Sequence, residues 1–142
     1  MSRLFVQHWI ACLDSQAVPP VGVNNFYNLL GVGHVHTFAG DVEFPAVIPE
    51  LDMFARFVNG TGVRQFEVEV FWLDAPEGER LVNYYPPYQI TFRSNEPLRD
   101  YAFRLANIPV GGAGLHSIRL YRSRRRGRKV LSNEYFYVVQ LP

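Results

Sequence analysis

Residues 51–72 read Leu-Asp-Met-Phe-Ala-Arg-Phe-Val-Asn-Gly-Thr-Gly-Val-Arg-Gln-Phe-Glu-Val-Glu-Val-Phe-Trp. Apolar and polar side chains alternate on both sides of Asn-Gly-Thr-Gly, the two-residue period of a strand with one buried face. Because Asn-Gly tolerates the positive φ angles of a type I′ turn, the stretch predicts a β-hairpin. Pairing Val58 with Thr61 or Val63 keeps both apolar sets on one face, and a one-residue slip would expose one of them. These sets are Leu51, Met53 and Ala55, and Phe66, Val68 and Val70.

The opposite face of this predicted hairpin carries charged residues together with two aromatic side chains. The charged positions include Glu67 and Glu69, and the aromatic ones are Phe54 and Phe71. Another element covers these rings, or they form a small contact patch. Cover is the commoner arrangement, although scattered exposed apolar residues are also ordinary.

Short alternating runs continue along the rest of the chain, separated by Pro, Gly and Asn. They lie at residues 4–13, 26–36, 80–84, 88–93, 101–108, 115–122 and 130–140. The breakers include the pairs Pro19-Pro20 and Pro86-Pro87. Eight or nine such strands predict an all-β, antiparallel two-sheet sandwich of immunoglobulin-like or related Greek-key type. The length of 142 residues favours one domain spanning residues 1–142.

Composition and charge narrow the class of protein. Hydrophobic residues make up 48% of the chain, which argues against disorder. No apolar run approaches the 18 residues of a membrane-spanning helix, so we expect no membrane contact. Cys12 is the single cysteine and cannot form an internal disulfide, which favours a reducing, cytoplasmic location.

Two further segments resemble a known sequence pattern. Residues 26–32 read Phe-Tyr-Asn-Leu-Leu-Gly-Val, and residues 44–51 read Phe-Pro-Ala-Val-Ile-Pro-Glu-Leu. This combination resembles an uncharacterised family of small bacterial single-domain proteins, a domain of unknown function. The residues from Gly114 to Val138 resemble the last hairpin of many immunoglobulin-like modules. Both resemblances imply a β-sandwich, and neither implies an activity or site residues.

The chain contains no motif that predicts catalysis. Gly111-Gly112-Ala113-Gly114 lacks the Lys-Ser/Thr of a phosphate-binding loop. His34 and His36 share one strand face and could chelate a metal if Asp41, Glu43 or His116 supplied a third ligand. A solvated polar face explains the same pair more simply. We therefore predict a protein that is not an enzyme and has neither a cofactor nor a metal.

Residues 84–88 place three tyrosines around a stiff diproline. Tyr84, Tyr85 and Tyr88 could stack on sugar rings or bases, as in carbohydrate-binding sandwiches. They could equally cap the end of the core with their hydroxyls in water, which is the favoured interpretation. Together with Phe54 and Phe71 they form the candidate aromatic contacts.

Basic residues concentrate near the C-terminus, where seven of the fourteen lie between Arg119 and Lys129. Residues 1–118 hold seven basic and twelve acidic side chains, and residues 119–142 hold seven basic and one acidic. A two-residue turn at Arg126-Gly127 would oppose Arg125 to Arg128 and Arg124 to Lys129, and would place Ile118 opposite Tyr135. Because opposed like charges destabilise a strand pair, such a tip would fray or widen into a loop. The candidate binding residues are Arg122, Arg124, Arg125, Arg126, Arg128 and Lys129.

Two functions fit this charged hairpin, besides a solvated tip that protects edge strands from aggregation. We favour a non-catalytic interaction or assembly module of a bacterial or phage protein, which binds a protein partner or forms a homo-oligomer. The alternative is a polyanion-binding module that takes nucleic acid on the arginines. A metal-dependent enzyme or a carbohydrate-binding module is the weakest prediction.

Overall fold

The computed structural model describes residues 3–12, 14–21, 24–30, 35–93 and 97–142, with the backbone alone for residues 14–21 and 24–30. Alternating sequence produces extended backbone throughout, and this part of the chain contains no helix. Its ten strands are β1 (Phe5–Cys12), β2 (Asp14–Val21), β3 (Asn24–Leu30), β4 (Val35–Phe38), β5 (Ala46–Val58), β6 (Gly62–Trp72), β7 (Arg80–Phe92), β8 (Leu98–Val110), β9 (Gly114–Ser123) and β10 (Arg128–Gln140).

The strands form two packed sheets and a separate two-stranded ribbon. One sheet has the order β1-β5-β8, the other has the order β4-β10-β9-β6-β7, and β2 pairs with β3. Every pairing is antiparallel except that of β4 with β10, which is parallel. The predicted all-β class with two sheets is thus confirmed.

The core lies between the two sheets and is rich in aromatic rings. Phe57 of β5 and Phe66 of β6 are fully buried, with ring centroids 4.7 Å apart. Phe103 of β8 lies edge-on to Trp9 at 5.4 Å and to Tyr88 at 4.8 Å. Edge-to-face contacts of this kind add to the stabilisation from buried apolar area.

The predicted hairpin at Asn59-Gly60-Thr61-Gly62 is wrong, because β5 and β6 belong to different sheets. The two apolar sets predicted to share a face do share the core, but they meet across the sandwich. Asn59 and Gly62 take φ angles of 62° and 69°, and Asn59 donates a backbone hydrogen bond to Pro97. The positive φ angles reverse the chain direction as expected, but the reversal carries the chain between sheets.

Two proline pairs that were predicted to break the chain lie inside strands. Pro86-Pro87 lies within β7, which forms one edge of the five-stranded sheet. Pro19-Pro20 lies within β2, where the pairing with β3 shifts between Val18 and Val21. Proline lacks a backbone N–H, so edge strands and irregular positions tolerate it. β7 thus joins the two strands predicted at residues 80–84 and 88–93, whereas β2 lies where no strand was predicted.

Candidate functional site

The β9–β10 hairpin has a different register from the one predicted. Its last strand pair is Ser123 with Arg128, and Lys129 pairs with Arg122. A four-residue connection, residues 124–127, closes with a hydrogen bond from the Arg124 N–H to the Gly127 carbonyl at 3.0 Å. Only one pair of like charges remains directly opposed, whereas the two-residue turn would have opposed two. The wider loop thus lowers the electrostatic repulsion that a tight turn would have caused.

This register shift also moves the apolar pairing by one residue. A bulge between Val130 and Ser132 places Ile118 opposite Glu134, and Ser117 opposite Tyr135. Bulges insert one residue into a strand and restore the buried alternation beyond it. Ile118 and Phe136 are accordingly both fully buried.

Arg128 lies on the outer face of the five-stranded sheet, where a carboxylate compensates its positive charge. Its guanidinium donates to Glu69 Oε1 at 2.5 Å and lies 4.0 Å above the Tyr121 ring. The Glu69 side chain is only 6% exposed. The hydrogen bond to Glu69 raises the pKa of Arg128. Arg128 is therefore already paired within the chain.

The other outer-face charges around Arg128 are also satisfied. Glu67 accepts hydrogen bonds from the Tyr84 hydroxyl at 2.5 Å and from Ser123 Oγ at 3.0 Å. Arg119 pairs with Glu79 at 2.5 Å and lies 4.3 Å from the centroid of the Phe71 ring. The acidic residues that the alternation placed on this face thus balance the basic residues of β9 and β10.

The five candidate aromatic contacts have unequal exposure. Phe54 and Tyr85 are 6% and 7% exposed, and the Tyr85 hydroxyl donates to the Ala106 carbonyl at 3.1 Å. Tyr88 is half-buried against Phe103, and burial raises its pKa to about 12. Phe71 lies beneath Arg119, and Tyr84 is 43% exposed. Phe54 and Tyr85 therefore offer almost no surface to a partner, and Tyr84 offers the most.

The inner face of the same hairpin carries basic residues in a different environment. Arg122 and Lys129 lie on the face of Leu120 and Phe66, beyond the end of the apolar core. Burial lowers the pKa of Arg122, and the positive charges of Arg64, Arg124 and Arg3 lower it further.

Lys129 belongs to the same group of basic side chains. Desolvation is the largest cause that lowers its pKa, and the charges of Arg3, Arg124 and Arg122 lower it further. We call Arg3, Arg64, Arg122, Arg124 and Lys129 the basic cluster. None of its members forms an ion pair with a carboxylate in the part of the chain that the structure describes. No described carboxylate therefore compensates the positive charge of the cluster.

A cleft opens beside the basic cluster, where two strands separate. The β6–β9 pairing ends at Phe66 with Arg122. Beyond this pair lies a cleft of about 620 Å³, lined by Val63, Arg64, Gln65, Arg122, Ser123, Arg124 and Arg125. Four arginines thus face one concave surface, and none of its described lining residues is aromatic.

The six predicted binding residues consequently divide into three groups. Arg122, Arg124 and Arg125 line the cleft, and Lys129 lies opposite Arg122 on the neighbouring strand. Arg128 pairs with Glu69 on the other face, and Arg126 is exposed at the tip. Sequence reasoning missed Arg3 and Arg64. A signal existed for Arg64, because it lies two residues before Phe66 on the apolar face of its strand.

The histidines considered as metal ligands are packed among aromatic rings. His36 lies edge-on to Phe136 at 5.3 Å, and the buried His116 stacks on Phe136 at 4.9 Å and on Trp72 at 6.1 Å. The Nδ1 atom of His116 is 3.1 Å from the Gly114 carbonyl. His34 lies outside the described residues.

The surroundings of His36 and His116 do not form a metal site among the described residues. Within the described ranges, no three histidine, cysteine or carboxylate side chains are grouped closely enough to hold a metal ion. Burial lowers the pKa of both imidazoles. In this structure the two rings contribute to the packing between strands.

Comparison with protein-family models and with curated proteins assigns no function to this chain. The sequence matches no protein-family model and no curated protein. Among the described residues, no helix has the length and apolar character needed to cross a membrane.

Proposed function

We propose that this protein is a non-catalytic interaction module that binds an acidic surface of another protein through the basic cluster. One observation carries the proposal. Arg128 and Arg119 on the outer face each have a carboxylate partner, whereas the basic cluster has none among the described residues. An anionic partner would relieve the mutual repulsion of these side chains on binding.

Arginine is well suited to such a partner. Its planar guanidinium can donate two parallel hydrogen bonds to one carboxylate, and these charge-assisted bonds are stronger than neutral ones. Arg64 and Arg122 reach the cleft from different strands, so a single acidic group could contact both. Partly desolvated arginines gain more from a carboxylate than fully hydrated ones.

A nucleic acid is the second candidate, because phosphate also suits arginine. The lining of the cleft favours it less. Proteins that bind single strands usually stack bases on aromatic side chains, and the lining residues that the structure describes include none. The acidic balance of residues 1–118 would also repel a long polyanion that extends past the cluster.

The connectivity supports an immunoglobulin-like or related Greek-key sandwich as part of the same proposal. The chain passes between the two main sheets after β4, after β5, after β7 and after β8. Repeated passage between sheets is characteristic of Greek-key sandwiches. Such domains present loops and hairpin ends at the ends of the sandwich, where the basic cluster lies.

Binding of labelled polyglutamate and of a single-stranded oligonucleotide would test this proposal. We expect polyglutamate to bind in low salt and to weaken as salt rises, because screening reduces charge attraction. The variant carrying Arg64→Gln, Arg122→Gln and Arg124→Gln should lose this binding, whereas Arg126→Gln should retain most of it. Binding of the oligonucleotide alone would favour the second candidate, and binding of neither would refute the basic cluster as a binding surface.

Sedimentation without added ligand would test self-association. A salt-sensitive oligomer that the same triple variant abolishes would make a second copy of this chain the partner. A monomer at both high and low salt would leave another protein as the partner.

A further inference from the structure

Beside the cleft, the first four residues of β6 have a neighbouring strand on one side only, among the strands that the structure describes. On its other side, β7 pairs with β6 from Gly62 with Phe92 onward. On the cleft side, β9 pairs with β6 only from Phe66. Residues 62–65 therefore have one paired edge and one edge that no described strand covers, over ~13 Å at the usual rise per residue.

The end of β9 borders the cleft in a similar way. Arg122 and Ser123 pair with β10 on one side. On the other side the pairing with β6 stops at Arg122. Backbone N–H and C=O groups along such an edge are a template for another extended chain. A polypeptide can use this template and a nucleic acid cannot.

The side chains beside this edge suit an acidic polypeptide with some apolar character. Arg64 and Arg122 supply positive charge, Gln65 supplies an amide, and Val63 is 51% exposed. Residues two apart in an extended chain point to the same side, ~7 Å apart. Acidic residues at alternate positions would therefore all face the arginines.

A second copy of this chain fits this cleft less well than another protein does. The acidic β6–β7 connection offers Asp74, Glu77 and Glu79. Asp74 already accepts the Leu115 N–H at 2.7 Å, and Glu79 pairs with Arg119 at 2.5 Å. Of these three, Glu77 alone makes no such contact with a described residue.

We propose that the partner inserts an extended acidic segment into the cleft, where it adds as a strand to the free edge of β6 with its alternate carboxylates on Arg64 and Arg122. Strand addition of this kind takes affinity from main-chain hydrogen bonds and specificity from alternate side chains. This inference rests on the proposed function and specifies the form of the partner and its manner of binding.

Three peptides of one composition would test the inference on the full chain. The first alternates glutamate and valine, and the second groups all its glutamates at one end. The third repeats the first with backbone N-methyl groups on alternate residues, which remove the N–H donors along one edge of the peptide. We expect the first to bind about tenfold more tightly than either of the others.

Protein variants and amide exchange would locate the segment. Arg64→Gln or Arg122→Gln should lower the affinity for the first peptide about tenfold. Arg126→Gln lies on the same hairpin as Arg122 but outside the cleft, and it should change this affinity less than twofold. The bound peptide should slow amide hydrogen exchange within residues 62–65.

The outcomes separate this inference from the proposed function. Equal binding of all three peptides, lost in the arginine variants, would overturn strand addition and keep the basic cluster as an acidic-protein site. Binding of none of them, and of no polyglutamate, would overturn both. If the bound peptide slowed amide exchange in residues 128–136 instead of 62–65, the peptide would add to β10, and the free edge of β6 would be refuted as the site of strand addition.

Discussion

At the scale of the residue, neighbouring basic side chains of one hairpin lie in opposite environments. Arg128 points to the outer face and pairs with Glu69, while Lys129 points to the inner face beside Arg122. This difference follows from strand geometry, because successive side chains point to opposite sides of a sheet. A run of basic residues in the sequence is thus two separate surfaces in the folded protein.

The pairing of Arg128 with Glu69 predicts a loss of stability in Arg128→Gln. Glu69 would remain buried without its charged partner, and we expect the free energy of unfolding to fall by about 1–3 kcal/mol. Urea unfolding followed by circular dichroism would measure the loss. Arg126→Gln, which removes an exposed arginine of the same hairpin, is the control and should stay within about 0.5 kcal/mol of the wild type. Equal stability of the two variants would contradict the role assigned to Arg128.

At the scale of the element, a column of rings joins four strands of the larger sheet. His36 of β4, Phe136 of β10, His116 of β9 and Trp72 of β6 follow one another through edge-on and stacked contacts. β4 has only four residues and pairs with β10 alone. The ring column therefore adds side-chain contacts to a short edge strand that has few backbone hydrogen bonds.

This column predicts a dependence of stability on pH. Burial is the largest cause that lowers the pKa of His36 and of His116. The charge of His116 lowers the pKa of His36 further, whereas Asp74 partly opposes the lowering at His116. Below pH ~6.5 the unfolded chain therefore binds protons that the folded chain does not, so the free energy of unfolding falls as pH decreases. The loss should reach up to ~1.4 kcal/mol per pH unit for each imidazole.

Urea unfolding at pH 7 and pH 5 would measure this effect. His116→Gln should lose less stability than the wild type between these two pH values, because it lacks one titrating group. His8→Gln, which removes an exposed imidazole, serves as the control and should follow the wild type. If His116→Gln and the wild type lose the same amount, His116 does not cause the pH dependence.

At the scale of the whole molecule, the two main sheets depend on one shared core. Trp9 of the three-stranded sheet donates through its indole Nε1 to the Ile118 carbonyl of the five-stranded sheet at 3.0 Å. Phe103 contacts rings from both sheets. Neither sheet can bury its apolar face without the other, so the two should unfold together.

Two single-tryptophan variants would test this dependence. Trp9→Phe leaves Trp72 as a reporter in the five-stranded sheet, and Trp72→Phe leaves Trp9 in the three-stranded sheet. In each variant we expect the fluorescence transition to coincide with that of far-ultraviolet circular dichroism, as in two-state unfolding. Separate midpoints for the two probes within one variant would show that the sheets unfold independently.

Much of the fold was predictable from local pattern. The alternation placed strands at residues 51–58, 63–72 and 101–108 and identified the buried sides of the first two, because side-chain direction in a strand depends only on position along it. The concentration of positive charge at residues 119–129 was equally visible. Local pattern cannot distinguish a hairpin from a connection between two sheets, because the alternation and the Asn-Gly turn of residues 51–72 are compatible with either arrangement.

The sequence alone therefore determined which residues are extended, which sides of the strands are apolar and where the basic residues concentrate. Only the tertiary structure decided which strands pair, which arginines meet carboxylates and that Arg64 lies beside Arg122. The physical reason is the range of the interactions. Alternation acts between neighbours in the chain, whereas strand pairing and charge pairing depend on distances between segments that folding brings together.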